Sequence, residues 1–165
     1  RSQVSKEEDM IDRIDKIKTF VLDMDGTIVE LLFDKNQSYR EKGVYLNKRP
    51  IEPAITEIEK IRNRFPSIKF KILSCSKSNQ MKNEKNEWLN KYMPFINSND
   101  RIIFSEEAGD YIRENRNIVK AEYINKNITD DKIIILIDDD IEVLKGVQNL
   151  LKDNIIPVHV TSILI

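Results

Sequence analysis

Apolar residues fall in five short runs along the chain, and each run is followed by polar residues. Phe20-Val21-Leu22 leads into Asp23-Met24-Asp25-Gly26-Thr27, residues 70–73 lead into Ser74, residues 102–104 into Ser105, and residues 133–137 into Asp138-Asp139-Asp140. These runs are continuous rather than alternating, as in strands covered on both faces. The fifth run, 155–160, is interrupted by Pro157 and reads as an edge strand, where a missing N–H is tolerated. Helical periodicity fills most of the intervals, at 54–64 just after Pro53, at 83–92 with Trp88 and Leu89, at 120–127 with Ala121, Tyr123 and Ile124, and at 142–152. Upstream, Met10, Ile11, Ile14 and Ile17 recur at helical spacing, which predicts an amphipathic helix within 1–18. Strands alternating with helices predict an α/β domain over 19–165. It would have three layers, α/β/α and Rossmann-like, around a parallel sheet with right-handed crossovers.

Composition narrows this reading. A chain of 165 residues suits one domain, and 40% hydrophobic with 33% charged residues excludes a disordered or collagen-like chain. Twenty-seven Lys and Arg against 28 Asp and Glu leave a net charge of -1, so no global field draws the chain to nucleic acid or an anionic membrane. The single Cys75 cannot form an internal disulfide, and no apolar run approaches the roughly 18 residues of a membrane span. These features predict a cytoplasmic protein with no membrane partner. They leave the oligomeric state open, and also whether the chain is part of a longer protein.

In a parallel sheet, ligands bind at the carboxyl ends of the strands. There the runs would bring together Asp23 and Asp25, Ser74, and Asp138 and Asp139. Carboxylates this close repel one another unless a cation or proton intervenes. Oxygen donors without His or Cys suit Mg²⁺, and Gly26 would let the backbone turn tightly away from the first strand.

The run Asp23-Met24-Asp25-Gly26-Thr27 after an apolar strand, then Ile72-Leu73-Ser74, then Ile135-Leu136-Ile137-Asp138-Asp139 in that order, resembles the haloacid dehalogenase-like superfamily of phosphohydrolases. The resemblance implies that Asp23 is a nucleophile and Asp25 a general acid and base. It also implies that Thr27 and Ser74 contact substrate, and that Asp23, Asp139 and the Asp25 carbonyl bind Mg²⁺ with Asp138 in support. It calls for a phosphate-binding lysine, and two compete. Lys120 matches the more widespread arrangement, ahead of the Asp138 strand. Lys85, within 84–92, matches the 5'(3')-deoxyribonucleotidases, which residues 50–54 and 101–105 also resemble. That subfamily carries a helical cap between its first motif and first core helix, whereas 28–52 has room only for a flap. Residues 106–119 also form a longer connection than the subfamily pattern suggests.

The expected function is therefore a Mg²⁺-dependent phosphomonoesterase acting through an aspartyl-phosphate on a small phosphorylated metabolite, a nucleotide by subfamily resemblance. The alternatives are a phosphatase of nucleic-acid ends or phosphoproteins, whose bulk would close an open site, and a non-catalytic phosphate-binding module. Other conspicuous residues have plainer roles. Trp88 reads as core, Cys75 as a small buried filler, and His159 as a satisfied residue on the last strand. The Lys-rich stretch 77–91 reads as a solvated helix face, and Phe33, Tyr39 and Tyr45 as packing within the flap.

Overall fold

The computed structural model describes residues 15–31, 38, 41–128, 132–150 and 152–163. Five parallel strands form one sheet: β1 (Ile17–Leu22), β2 (Lys69–Ser76), β3 (Arg101–Ser105), β4 (Ile133–Asp138) and β5 (Ile155–His159), in the order β3-β2-β1-β4-β5. The chain steps outward from β1 to β3, then returns to the other side of β1. The strand order therefore reverses between β1 and β4, where such sheets open a crevice for ligands. Pro157 lies on the edge strand β5, as expected.

Among the described residues four α-helices cover the sheet: α1 (Glu52–Arg64), α2 (Asn79–Tyr92), α3 (Arg116–Asn127) and α4 (Ile141–Asn149). Side-chain alternation along the strands assigns each helix to a face. Phe20, Leu22, Phe70, Ile72 and Ile137 pack with Ile55 and Ile58 of α1 and with Met81, Trp88 and Leu89 of α2. Val21, Leu73, Ile134 and Leu136 pack with Ala121 and Ile124 of α3 and with Val143 and Val147 of α4. The predicted three layers are thus present, with a separate apolar core on each face.

Local chemistry sets the helix starts. Pro53 lies in the first turn of α1, whose N–H groups need no partner within the helix. Ser78 caps α2, its Oγ accepting from the Met81 N–H at 3.1 Å, and Asp140 caps α4 by accepting from Glu142 N at 2.9 Å. Of the segment expected to be helical at 1–18, residues 1–14 lie outside the described residues. Ile17 and Lys18 belong to β1 instead, because Ile17 finds a strand partner in Ile133.

The flap expected at 28–52 is described at 28–31, 38 and 41–52. Its two stems close on each other, with Glu30 N donating to Arg49 O at 3.0 Å and Ile51 N to Ile28 O at 2.8 Å. Phe33 and Tyr39 lie outside the described residues. Tyr45 is buried packing. Among the described residues no helix is long and apolar enough to cross a membrane.

Candidate active site

Strand register brings the acidic residues together. Leu22 pairs with Ile137 and the Asp23 N–H donates to Ile137 O at 2.9 Å, so Asp23 leaves the sheet abreast of Asp138. Lys120 enters from α3 on one face. Its ammonium donates at 2.7 Å to Asp23 Oδ1 and at 2.7 Å to Asp138 Oδ2, with all three residues buried. Asp138 Oδ1 also accepts from Asp140 N at 2.9 Å, which fixes its carboxylate. Asp139 is half-buried beside this pair, and Asp23, Asp138 and Asp139 each offer an oxygen within 4.8 Å of the others.

Gly26 makes that approach possible. Its φ is +80°, and a Cβ there would lie 2.0 Å from Asp139 Oδ2. His159 contributes at the end of β5, where Nε2 lies 3.2 Å from the Asp139 carbonyl and Thr161 N donates to Nδ1 at 3.3 Å. Since a carbonyl only accepts, this arrangement places the proton on Nε2. His159 is therefore the satisfied strand residue expected of it.

A second group of charges forms around Asp25. Lys85, fully buried on α2, donates to Asp25 Oδ2 at 2.9 Å, to Ser74 Oγ at 2.8 Å and to the Cys75 carbonyl at 2.8 Å. Lys48, buried in the returning stem of the flap, donates to Asp25 Oδ1 at 3.1 Å. The Trp88 indole N–H holds the Lys48 carbonyl at 3.0 Å, and the Tyr45 ring lies against both ammonium groups, 4.9 Å from Lys48 Nζ and 5.2 Å from Lys85 Nζ.

Burial and charge move the two β1 carboxyls apart. Burial pushes the Asp23 carboxyl up to about 7; the Asp138 charge adds to the push and Lys120 opposes it. Asp25 is held down at about 2, because Lys85 and Lys48 together outweigh its own burial. Burial alone would lower Lys120, but Asp23 and Asp138 outweigh it and raise the ammonium well above its ordinary value. Burial raises Asp139, with the Asp138 charge adding to it.

Three buried or half-buried carboxyl groups around one point, two of them pushed toward protonation, form a donor set that a cation would relieve. Its all-oxygen chemistry fits Mg²⁺.

The residues singled out in the sequence do converge, with differences in detail. Lys120 and Lys85 were competing candidates, yet both reach the site, one from each face of the sheet. Thr27 is buried behind Asp23, its hydroxyl 3.4 Å from Asp23 Oδ2, and does not line the cleft. Cys75 is half-buried at the end of β2 and lines the cleft beside Ser74 rather than filling the core. Burial raises its thiol, which disfavours the thiolate.

The 77–91 stretch is not wholly solvated either. Glu84 and Lys85 turn inward, with Glu84 accepting a hydrogen bond from Gly43 N. The sequence reading missed Lys48, one lysine among 27 basic residues with no motif to mark it. It also missed Arg116, which lines the cleft. The expected helix started at Lys120, one turn late, and so concealed that Arg116 and Lys120 share a face four residues apart.

No protein-family model and no curated protein sequence matches the chain. Solved structures do resemble it. A chain of the Pnkp1/Rnl/Hen1 RNA repair complex superposes with a TM-score of 0.57 at 19% identity over 87% of this chain, which spans 42% of that one. The HAD domain of effector protein Lem4 from Legionella pneumophila superposes with a TM-score of 0.51 at 18% identity, over 87% of this chain and 84% of that domain. At such identities the likeness shows the fold alone. The chain has the three-layer α/β fold of a haloacid dehalogenase-like (HAD) domain, with its acidic residues gathered at the strand-order reversal.

Proposed function

We propose that the chain is a Mg²⁺-dependent phosphomonoesterase that works through an aspartyl-phosphate on Asp23, with nucleotides as its substrate class. The observation that carries this reading is the separation of two carboxyls at the end of one strand. Asp23 lies deep among Asp138, Asp139 and Lys120, while Asp25 has its own pair of ammonium groups. A site needing a nucleophile and a separate acid and base requires that division of environments.

In this reading an Asp23 oxygen attacks phosphorus and the bond to the leaving oxygen breaks, that oxygen taking a proton from Asp25. Water then attacks phosphorus with Asp25 accepting its proton, and the phosphorus–Asp23 bond breaks to release phosphate. Asp25, ionised in the free protein, is ready for the second half. A phosphoryl group beside Ser74 competes for the Lys85 ammonium, which raises Asp25 toward the protonated form that the first half needs. Lys120 holds Asp23 and offers charge to the phosphoryl oxygens. Asp23, Asp139 and the Asp25 carbonyl would hold Mg²⁺ with Asp138 in support; the metal supplies neutralisation of phosphoryl charge when bound.

The test is release of phosphate from p-nitrophenyl phosphate and from a panel of nucleoside monophosphates, with and without Mg²⁺. Asp23→Asn keeps the shape and loses the nucleophile, so nearly all turnover should disappear while the fold persists. Beryllium fluoride should attach to Asp23 in a crystal. Turnover by Asp23→Asn at the wild-type rate would refute the mechanism.

A further inference from the structure

Two clefts meet at the site. The inner one, about 370 Å³, is lined by Asp23, Ser74, Lys120 and the acidic residues after β4. The outer one, about 670 Å³, runs toward Lys77, Tyr111 and Arg113. Asp25, Leu31, Cys75 and Arg116 line both, so the two spaces share a wall. A single phosphate facing Asp23 needs only the inner cleft, which leaves the larger space beside it for the rest of a substrate.

Arg116 is the cation at the junction. It opens α3 four residues before Lys120, so both side chains leave the same face of that helix, about 6 Å apart along its axis. Their situations differ. Lys120 is fully engaged by Asp23 and Asp138, whereas Arg116 is exposed and makes no hydrogen bond or ion pair among the described residues. Lining both clefts, its side chain lies between the two spaces, beside Cys75 and Tyr111 of their walls.

The outer wall is fixed. Tyr111 is buried and donates its hydroxyl proton to the Ser76 carbonyl at 3.0 Å. The outer cleft is not uniformly positive, since Glu106 and Glu107 line it with Lys77 and Arg113, and Glu107 is already engaged by Asn79 N at 2.9 Å. Among the described residues Arg116 is the one cation that lines both clefts. A guanidinium recognises phosphate oxygens through two parallel N–H groups.

Resting on the phosphomonoesterase reading above, we propose that Arg116 is a specificity residue that binds a second phosphate of the substrate, one nucleotide unit from the phosphate that meets Asp23. The ligand chemistry is a phosphomonoester with a neighbouring phosphate. A nucleoside 3',5'-bisphosphate or the 3'-phosphorylated end of a polynucleotide could each provide it.

Binding tests this without requiring turnover. Titration calorimetry on Asp23→Asn with Mg²⁺ would compare a nucleoside 3',5'-bisphosphate with the matching 3'- and 5'-monophosphates, and add a dinucleotide with a terminal 3'-phosphate. The bisphosphate, the dinucleotide or both should bind at least about tenfold more tightly than either monophosphate, an advantage that shrinks with salt. In Asp23→Asn/Arg116→Gln the advantage should fall to within about twofold, while Arg116→Lys in the same background keeps part of it. Lys126→Gln, an exposed change further along α3, should leave it intact.

The two-phosphate ligand that loses more affinity with Arg116→Gln identifies the source. No advantage for either two-phosphate ligand, or an advantage that survives Arg116→Gln, would overturn the proposal. Hydrolysis of p-nitrophenyl phosphate by the wild-type chain reports separately on the enzymatic reading. Arg116-dependent binding without hydrolysis would leave this subsite standing and remove that reading; hydrolysis without Arg116-dependent binding would do the reverse.

Discussion

Replacing Gly26 with alanine should damage metal binding far more than it damages folding, and the structure gives the size of both effects. At φ +80° an alanine carries the left-handed backbone penalty of about 1–2 kcal/mol. For a chain of this length that corresponds to about 2–4 °C in Tm per kcal/mol. The added Cβ would also lie 2.0 Å from Asp139 Oδ2 and 2.6 Å from Asp139 Cγ, where real Cβ atoms keep at least 3.0 Å. Asp139 must therefore withdraw Oδ2 by about 1 Å, and Mg²⁺, which demands near-ideal ligands at about 2.0–2.1 Å, would lose one of its donors.

Gly109→Ala separates the two effects. Its φ is +81°, yet nothing lies within 4 Å of the new Cβ, so it carries the same backbone penalty with no clash. Thermal melts across a Mg²⁺ titration, together with the Mg²⁺ dependence of p-nitrophenyl phosphate hydrolysis, give the comparison. Both variants should melt lower than wild type, and Gly26→Ala alone should need at least about tenfold more Mg²⁺. A Gly26→Ala protein with the Mg²⁺ requirement of Gly109→Ala would refute the argument that Gly26 makes room for Asp139.

Asp139→Ala should weaken Mg²⁺ binding more than Asp138→Ala, because the Asp138 carboxylate is already committed to Lys120 and Asp140 N; equal affinities by calorimetry would reverse that assignment. Lys120→Met and Lys85→Met should each lower kcat, by about a hundredfold for Lys120, since a preorganised donor at developing charge is worth roughly 3 kcal/mol. Wild-type kcat in either variant would return the site to a single essential lysine. In the metal-free protein, Asp25 sits at about 2 against 3.8 for an ordinary carboxyl, so it contributes stability above about pH 4 that is lost as pH falls through 2. That contribution is roughly 2 kcal/mol, and Asp25→Asn should flatten the acid limb of the stability curve over that window; an unchanged limb would show that the two lysines do not hold the carboxylate.

The strands were legible because most are short, largely apolar runs bounded by polar residues, as a doubly covered sheet requires, and the acidic residues were legible because they end two of those runs. The helix starts were harder to place. α2 begins at Asn79 rather than near 83 because Ser78 caps it, and α3 begins at Arg116, where hydrophobic periodicity is weak and a turn of 3₁₀ helix leads in. Ile17 was misread because its spacing from Ile14 is helical, while its partner Ile133 lies far along the chain. The inward turn of Glu84 and Lys85 was hidden for a similar reason. A charged residue on a helix reads as solvated until its tertiary partners are known, and those partners are Gly43 in the flap and Asp25 on the loop after β1. Lys48 is the extreme case, since a buried lysine with an ordinary sequence neighbourhood is visible only through the carboxylate it meets.

That arrangement also explains why the site needs cations from three directions. Lys120 reaches the strand ends from the α3 face, Lys85 from the α2 face and Lys48 from the flap, so each of the two β1 carboxyls has lysines of its own. Separate lysines let the surroundings of Asp23 and Asp25 act on each carboxyl independently. Here Asp23, deep and beside Asp138, is pushed toward protonation, while Asp25, shallower and doubly paired, is pushed toward ionisation. Burial thus works against ionisation of Asp23, while the two lysines favour ionisation of Asp25. A cation among Asp23, Asp138 and Asp139 favours an ionised Asp23, and a phosphate that engages Lys85 favours a protonated Asp25. Each ligand would therefore act on a different carboxyl of the pair.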